Sequence, residues 1–134
     1  MFPFNYLRYN EYFKVNNIMN ILILEDDLDR MDSFRNNLKD HDIVIVRTAQ
    51  ECIDMLKDHE WDILFLDHDL GGEQMVDSGE ENTGATVARF LSRNLKYKPP
   101  TVIIHSMNPP GAQYMMDLLP GALRVPGAWN MELD

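Results

Sequence analysis

Three short apolar runs in this chain end in acids or imidazoles. ILIL (21–24) runs into Glu25, Asp26 and Asp27, ILFL (63–66) into Asp67, His68 and Asp69, and VII (102–104) into His105 and Ser106. A run of branched apolar residues bounded by polar ones reads as a buried parallel strand. Ligands of open parallel sheets bind outside the C-terminal ends of such strands. Three ends side by side would gather at least four carboxylates and two imidazoles in one crevice. That set suits a divalent cation and a phosphate far better than it suits a core.

The rest of the chain supplies the helices such a sheet needs. Asp27 can cap a helix running to about Asp40, with Leu28, Met31, Phe34 and Leu38 on one face. Ile43 to Arg47 reads as strand two. Thr48 to Glu51, TAQE, is a capping box, and Ala49, Cys52, Ile53 and Leu56 follow at the spacing of a buried helical face. Asp62 to Asp67 is strand three, and the acidic, Gly-containing stretch GGEQMVDSGEEN (71–82) is the longest loop. Thr83 to Lys96 reads as a helix with Val87, Phe90, Leu91 and Leu95 inward. Thr101 to His105 is strand four. Pro109 and Pro110 fit a first helical turn, where proline costs little, and Ala112, Met115, Met116 and Leu119 face inward behind them. Ala122 to Val125 is a weak fifth strand, and the tail GAWNMELD is expected to form a partial last helix. Strands alternating with helices predict a doubly wound α/β sheet of five parallel strands. Right-handed crossovers favour the order 2-1-3-4-5, which sets strands one, three and four side by side.

Composition narrows the function classes. The 134 residues allow one domain with one core, and 45% apolar content is ordinary for a globular chain. No stretch approaches the roughly 20 apolar residues of a membrane span. A formal net charge of −10 disfavours loose binding to duplex DNA, which depends on lysine and arginine neutralising phosphates. The single cysteine, Cys52, leaves no internal disulfide and falls on a buried helical face. With no secretory signal in the aromatic, polar start, a cytoplasmic location is expected. Residues 1–18 are expected to be an extension, packed on the domain or on a partner, with the domain itself spanning 19–134. A homodimer formed through the extension is one possible role for it.

From about Met19 to Trp129 the chain resembles a receiver domain, the phosphoacceptor module of bacterial response regulators. ILILEDD resembles that family's first strand and acidic pair, ILFLDHDL its third strand, and TVIIHSM its fourth. The resemblance implies that Glu25 and Asp26 are metal-binding acids and that Asp67 holds the phosphoacceptor position. It also implies that Asp69 sits where a backbone carbonyl binds the metal and that Ser106 is the conserved hydroxyl. The strand-five lysine of the family is missing: in ALRVPG its place falls to Val125, while Pro126 is kept. His68, His105 and HSMNPPGA also depart from ordinary receivers. The set DHDLGG, a helix opened by Thr-Gly, and HSMNPPGA is similar to a divergent receiver-like group described as cyclic-phosphate processing. Membership there implies a phosphate-containing small molecule or an RNA terminus as partner.

The chemistry of the candidate residues follows from their types. Glu25, Asp26 and Asp67 are hard oxygen ligands for a divalent metal, and nearby imidazoles would shift the choice from Mg toward Mn or Zn. An EF-hand loop starting at Asp67 is excluded, because Ser78 stands where its twelfth-position glutamate belongs. His68 is either a loop residue without a role, a metal ligand or a general acid–base. His105 is either a hydrogen-bonded core residue or a ligand and proton carrier. Asp69 is grouped with the two histidines as a catalytic candidate. Ser106 and Asn108 are candidate phosphate contacts, with helix capping as the alternative for Asn108. Three functions remain open: a metal-dependent phosphoesterase for cyclic phosphates, a receiver phosphorylated on Asp67, and a degenerate receiver acting only as a binding module.

Overall fold

In a computed structural model, which describes residues 18–133, five strands form one parallel sheet in the order β2-β1-β3-β4-β5. The strands are β1 (Asn20–Leu24), β2 (Asp42–Val46), β3 (Ile63–Leu66), β4 (Thr101–Ile104) and the two-residue β5 (Leu123–Arg124). The helices are α1 (Leu28–Asn37), α2 (Ala49–Asp58), α3 (Gly84–Arg93) and α4 (Pro109–Leu118). Short 3-10 turns lie at Leu95–Tyr97 and Ala128–Asn130. The expected extension over 1–18 lies, Ile18 apart, outside the described residues.

Local signals account for the helix starts. Asp27 Oδ2 accepts the Arg30 amide at 3.0 Å to cap α1. Thr48 and Glu51 form the reciprocal capping box of α2. Asn108 Oδ1 accepts the Gly111 amide at 3.0 Å, with Pro109 and Pro110 in the first turn of α4.

The sheet separates two apolar layers by simple alternation. Leu22, Leu24, Leu64, Leu66, Val102 and Ile104 face α2, α3 and α4. Ile21, Ile23, Ile63, Phe65 and Ile103 face α1, where Phe34 and Leu38 meet Ala128 of the C-terminal turn. Burying these runs on both faces leaves the strand ends as the place for polar chemistry.

Two expected inward positions are corrected. Leu28 is 64% exposed, because it opens α1 above the sheet edge. Leu95 is 67% exposed, because α3 stops at Arg93 and a tighter turn rotates Leu95 outward. The tail forms a 3-10 turn at Ala128–Asn130 in place of an α-helical segment.

Candidate metal centre at the strand ends

The three strand ends meet because the ladder continues one residue past each strand. Leu24 pairs with Leu66, and Leu66 with Ile104. The next row is Glu25, Asp67 and His105. Its amides still bond across: Asp67 N–H to Leu24 O at 3.3 Å and His105 N–H to Leu66 O at 3.2 Å. Each residue lies two past a member of the α1-side layer (Ile23, Phe65, Ile103), so alternation sends all three side chains to that face. Glu25 and His105 are fully buried and Asp67 is 2% exposed.

Glu25 spans the row. Its Oε1 lies 2.9 Å from His105 Nε2, and its Oε2 accepts the amides of Asp26 and Asp27 at 3.1 and 3.0 Å. Burial raises the Glu25 carboxyl, but the hydrogen bond and charge of His105, the Asp27 amide and Arg30 together pull it below the ordinary value. Asp67 goes the other way. Burial, reinforced by the Glu25 charge, pushes it up from 3.8 to about 7 against the pull of His105, the His68 amide and Arg30. Asp67 Oδ1 accepts the His68 amide at 2.8 Å, while Oδ2 is buried without a partner. His105 Nδ1 is likewise buried and unpartnered, inside a box of Phe34, Phe65 and Trp129.

One ligand atom from each of Glu25, Asp67 and His105 lies within 4.8 Å of the others. Orphaned buried polar atoms cost free energy unless something fills the gap. Two carboxylates and an imidazole that converge and leave Asp67 Oδ2 unsatisfied fit a divalent metal ion well.

The following residues point to the opposite face and build a second cluster. His68 is fully buried. Its Nδ1 lies 2.8 Å from Asp69 Oδ1 and its Nε2 lies 2.9 Å from Ser78 Oγ. Burial raises Asp69, but hydrogen bonds from Asn108, His68 and the amides of Met75 and Val76 outweigh it and hold the carboxyl below its usual value. The two ring nitrogens of His68 thus face the Asp69 carboxylate and the Ser78 hydroxyl. Asn108 is fully engaged: its Nδ2 donates to Asp69 Oδ1 at 2.9 Å and to Val76 O at 3.1 Å, besides its cap bond. Ser106 Oγ accepts the Asn108 amide at 3.0 Å.

Two glycines let the helices approach this layer. A Cβ on Gly84 would stand 1.7 Å from Asp67 O, and one on Gly111 would stand 2.6 Å from the His68 ring. Thr-Gly before α3 and the glycine of NPPGA are therefore packing requirements of the DHD segment.

The structure thus divides the candidate residues between two faces. Glu25, Asp67 and His105 converge. His68, Asp69, Asn108 and Ser78 converge behind them. Asp26 turns aside, its Oδ2 accepting the amides of Gly71 and of Gly72. Arg30 and Trp129 are additions that the strand-end reading missed. Arg30 Nε sits 3.5 Å from Glu25 Oε2, and its guanidinium carbon lies 4.8 Å from the centre of the Trp129 ring. A cue was available, since Arg30 falls in the first turn of a helix that begins at the acid pair. No cue in the sequence brings Trp129 there. Just past the fifth strand, Val125 packs on the α1 layer, and Arg124 is exposed.

Comparisons with known proteins agree with this architecture. The phosphorylated cyanobacterial phytochrome response regulator RcpA superimposes with a TM-score of 0.62 at 20% identity, over 81% of this chain and 80% of that one. The Mn(2+)-bound form of response regulator Rcp1 gives 0.59 at 19% identity, over 81% and 80%. The response regulator TrrA from Thermotoga maritima, in complex with Mg(2+)-BeF, gives 0.61 at 14% identity, over 81% and 87%. At these identities the likeness is one of fold. No curated protein sequence matches. The family described as "Cyclic-phosphate processing Receiver domain" matches residues 21–121, which takes in the strand ends and helix starts from Glu25 to Asn108. With most of the chain matched and the receiver sheet order in place, this protein belongs to the cyclic-phosphate processing receiver domain family.

Proposed function

We propose that the domain binds a divalent metal ion at Glu25, Asp67 and His105 and hydrolyses or binds a cyclic phosphate there, carried by a nucleotide or an RNA terminus. The observation that carries this reading is the convergence of one ligand atom from each of Glu25, Asp67 and His105 within 4.8 Å, with Asp67 Oδ2 buried and unpartnered among the described residues. A bound cation supplies positive charge against phosphate oxygens and acidifies water. Mixed imidazole and carboxylate ligation favours Mn or Zn over Mg. Glu25 holds the His105 ring through Nε2 and keeps it available as ligand or proton carrier. Asp69 and Ser78 hold the two nitrogens of the His68 ring on the opposite side of the sheet. Asp26 ties the 71–82 loop down over the strand ends. Ser106 Oγ accepts the Asn108 amide, and Asn108 acts by holding Asp69. A cytoplasmic setting fits the single buried thiol.

The test is hydrolysis of a 2′,3′-cyclic nucleotide with added Mn(2+). Turnover that vanishes in a folded His105→Ala variant supports the proposal. A metal-loaded protein inert toward cyclic nucleotides and toward RNA with a cyclic-phosphate end contradicts the hydrolytic part.

A second reading, phosphorylation of Asp67 in signalling, is favoured by the free Asp67 Oδ2 at the end of β3. It predicts a stable adduct at Asp67 with Mg(2+) and beryllium fluoride.

A further inference from the structure

We propose that Arg30, seated over the Trp129 ring, is the cationic contact for the phosphate group at this site. The inference rests on the proposal that a phosphate reaches the Glu25–Asp67–His105 pocket, and it assigns the donor that would receive it.

The donors that the sequence brings to mind are already committed. Both ends of the Asn108 amide are bonded within the protein. The first free amides of α4 are also used: Gly111 donates to Asn108 Oδ1 and Ala112 to Asn108 O at 2.8 Å. Gly71 and Gly72 donate to Asp26. Val125 presents no charge on the neighbouring strand.

Arg30 is different. Its nearest carboxylate oxygens, Glu25 Oε2 and Asp27 Oδ2, lie 3.5 and 3.6 Å from Nε. A guanidinium built to pair with a carboxylate makes a shorter, often two-pronged contact. Glu25 Oε2 is instead filled by two backbone amides, and Arg30 Nε is buried with no hydrogen-bond partner among the described residues. The guanidinium side-chain donors make no hydrogen bond there at all, although the side chain is only 27% exposed. Its orientation is nevertheless fixed. Its guanidinium carbon sits over the Trp129 ring, and the Trp129 carbonyl is tied to α1 by Asn37 Nδ2 at 2.7 Å. The same indole meets the His105 ring edge-on at 6.2 Å between centroids, so Arg30 and His105 share one wall. A planar fork whose donors are unspent among the described residues, set over an aromatic ring beside a metal-type pocket, suits the oxygens of a phosphate.

Charge balance among the acids is the competing role, and it can be separated. Arg30→Lys keeps the charge but loses the fork. Metal binding is measured first, with Mg(2+) alone, for the parent, Arg30→Ala, Arg30→Lys and Trp129→Ala. Inorganic phosphate is then titrated into each Mg(2+)-loaded protein, with the Arg30 Nε–Hε NMR signal followed in the parent. We expect Mg(2+) to bind Arg30→Ala at least as tightly as the parent, since a nearby positive charge is gone. Phosphate affinity should fall about tenfold or more in Arg30→Ala, the loss expected for one or two charge-assisted hydrogen bonds. It should fall by a smaller factor in Arg30→Lys and Trp129→Ala, and the Nε–Hε signal should move with phosphate occupancy. Equal phosphate affinity in Arg30→Ala and parent, an unmoved Nε–Hε signal, or no phosphate binding by the Mg(2+)-loaded parent overturns the assignment while leaving the metal site standing. Failure of the parent to bind Mg(2+), and then Mn(2+) or Zn(2+) titrated in its place, instead counts against the proposed metal function.

Discussion

Asp67 is the residue on which proton and metal compete. Its carboxyl titrates near 7 when folded and near 3.8 when unfolded. Between those values the metal-free folded state holds the proton more tightly than the unfolded chain does. Its contribution therefore favours folding at low pH and fades as pH rises through about 7, by roughly 4 kcal/mol in the limit. Asp67→Asn should raise the stability of metal-free protein at neutral pH, measured by urea unfolding, and should abolish metal binding. Metal binding below pH 7 should release about one proton per ion, so apparent affinity should climb with pH and level off above it. Calorimetry in buffers of differing ionisation enthalpy would read that proton directly, and a pH-independent affinity from pH 5 to 7 would contradict it. Gly111 tests the second cluster. With the His68 ring only 2.6 Å from the position of a new Cβ, Gly111→Ala should cost about 1–3 kcal/mol by overpacking. A melting temperature equal to the parent's would show that α4 can retreat from His68 freely.

At the scale of elements, the helix starts and strand cores were legible because each has a local cause. Asp27, the TAQE box and Asn108–Pro109–Pro110 satisfy orphan amides with side chains a few residues away. The strand ends were legible because four-residue apolar runs have to be buried on both faces. Leu28 and Leu95 were not, since the exposure of a residue at a helix margin depends on where the last turn tightens, which tertiary contacts decide. The acidic side chains of the 71–82 loop, Glu73, Asp77, Glu80 and Glu81, are exposed. Its attachments were invisible. Asp69 Oδ2 receives the Met75 amide at 2.7 Å and its Oδ1 the Val76 amide at 3.2 Å, while Ser78 is held by His68. Asp69→Ala should remove hydrogen-exchange protection at Met75 and Val76 and loosen the loop, at a cost of about 2 kcal/mol. Unchanged protection at both amides would mean that the loop holds itself.

On the scale of the whole molecule, parallel order places β1, β3 and β4 side by side, and continuation of the ladder by one residue makes the pocket. Alternation then decides which side chain faces which way. A reading by strand ends alone put both histidines in one crevice. The pleat puts His105 with the metal-type acids and sends His68 to the α3–α4 side, a distinction set by a single residue of register. Arg30 and Trp129 complete the pocket only because α1 and the C-terminal turn pack together on the same face as His105. That long-range closure has no local signature. The most direct test is an anomalous-scattering map from crystals soaked in Mn(2+). The account predicts one strong peak enclosed by Glu25, Asp67 and His105. A map with no peak there, or with manganese only on the exposed acids of the 71–82 loop, would contradict it.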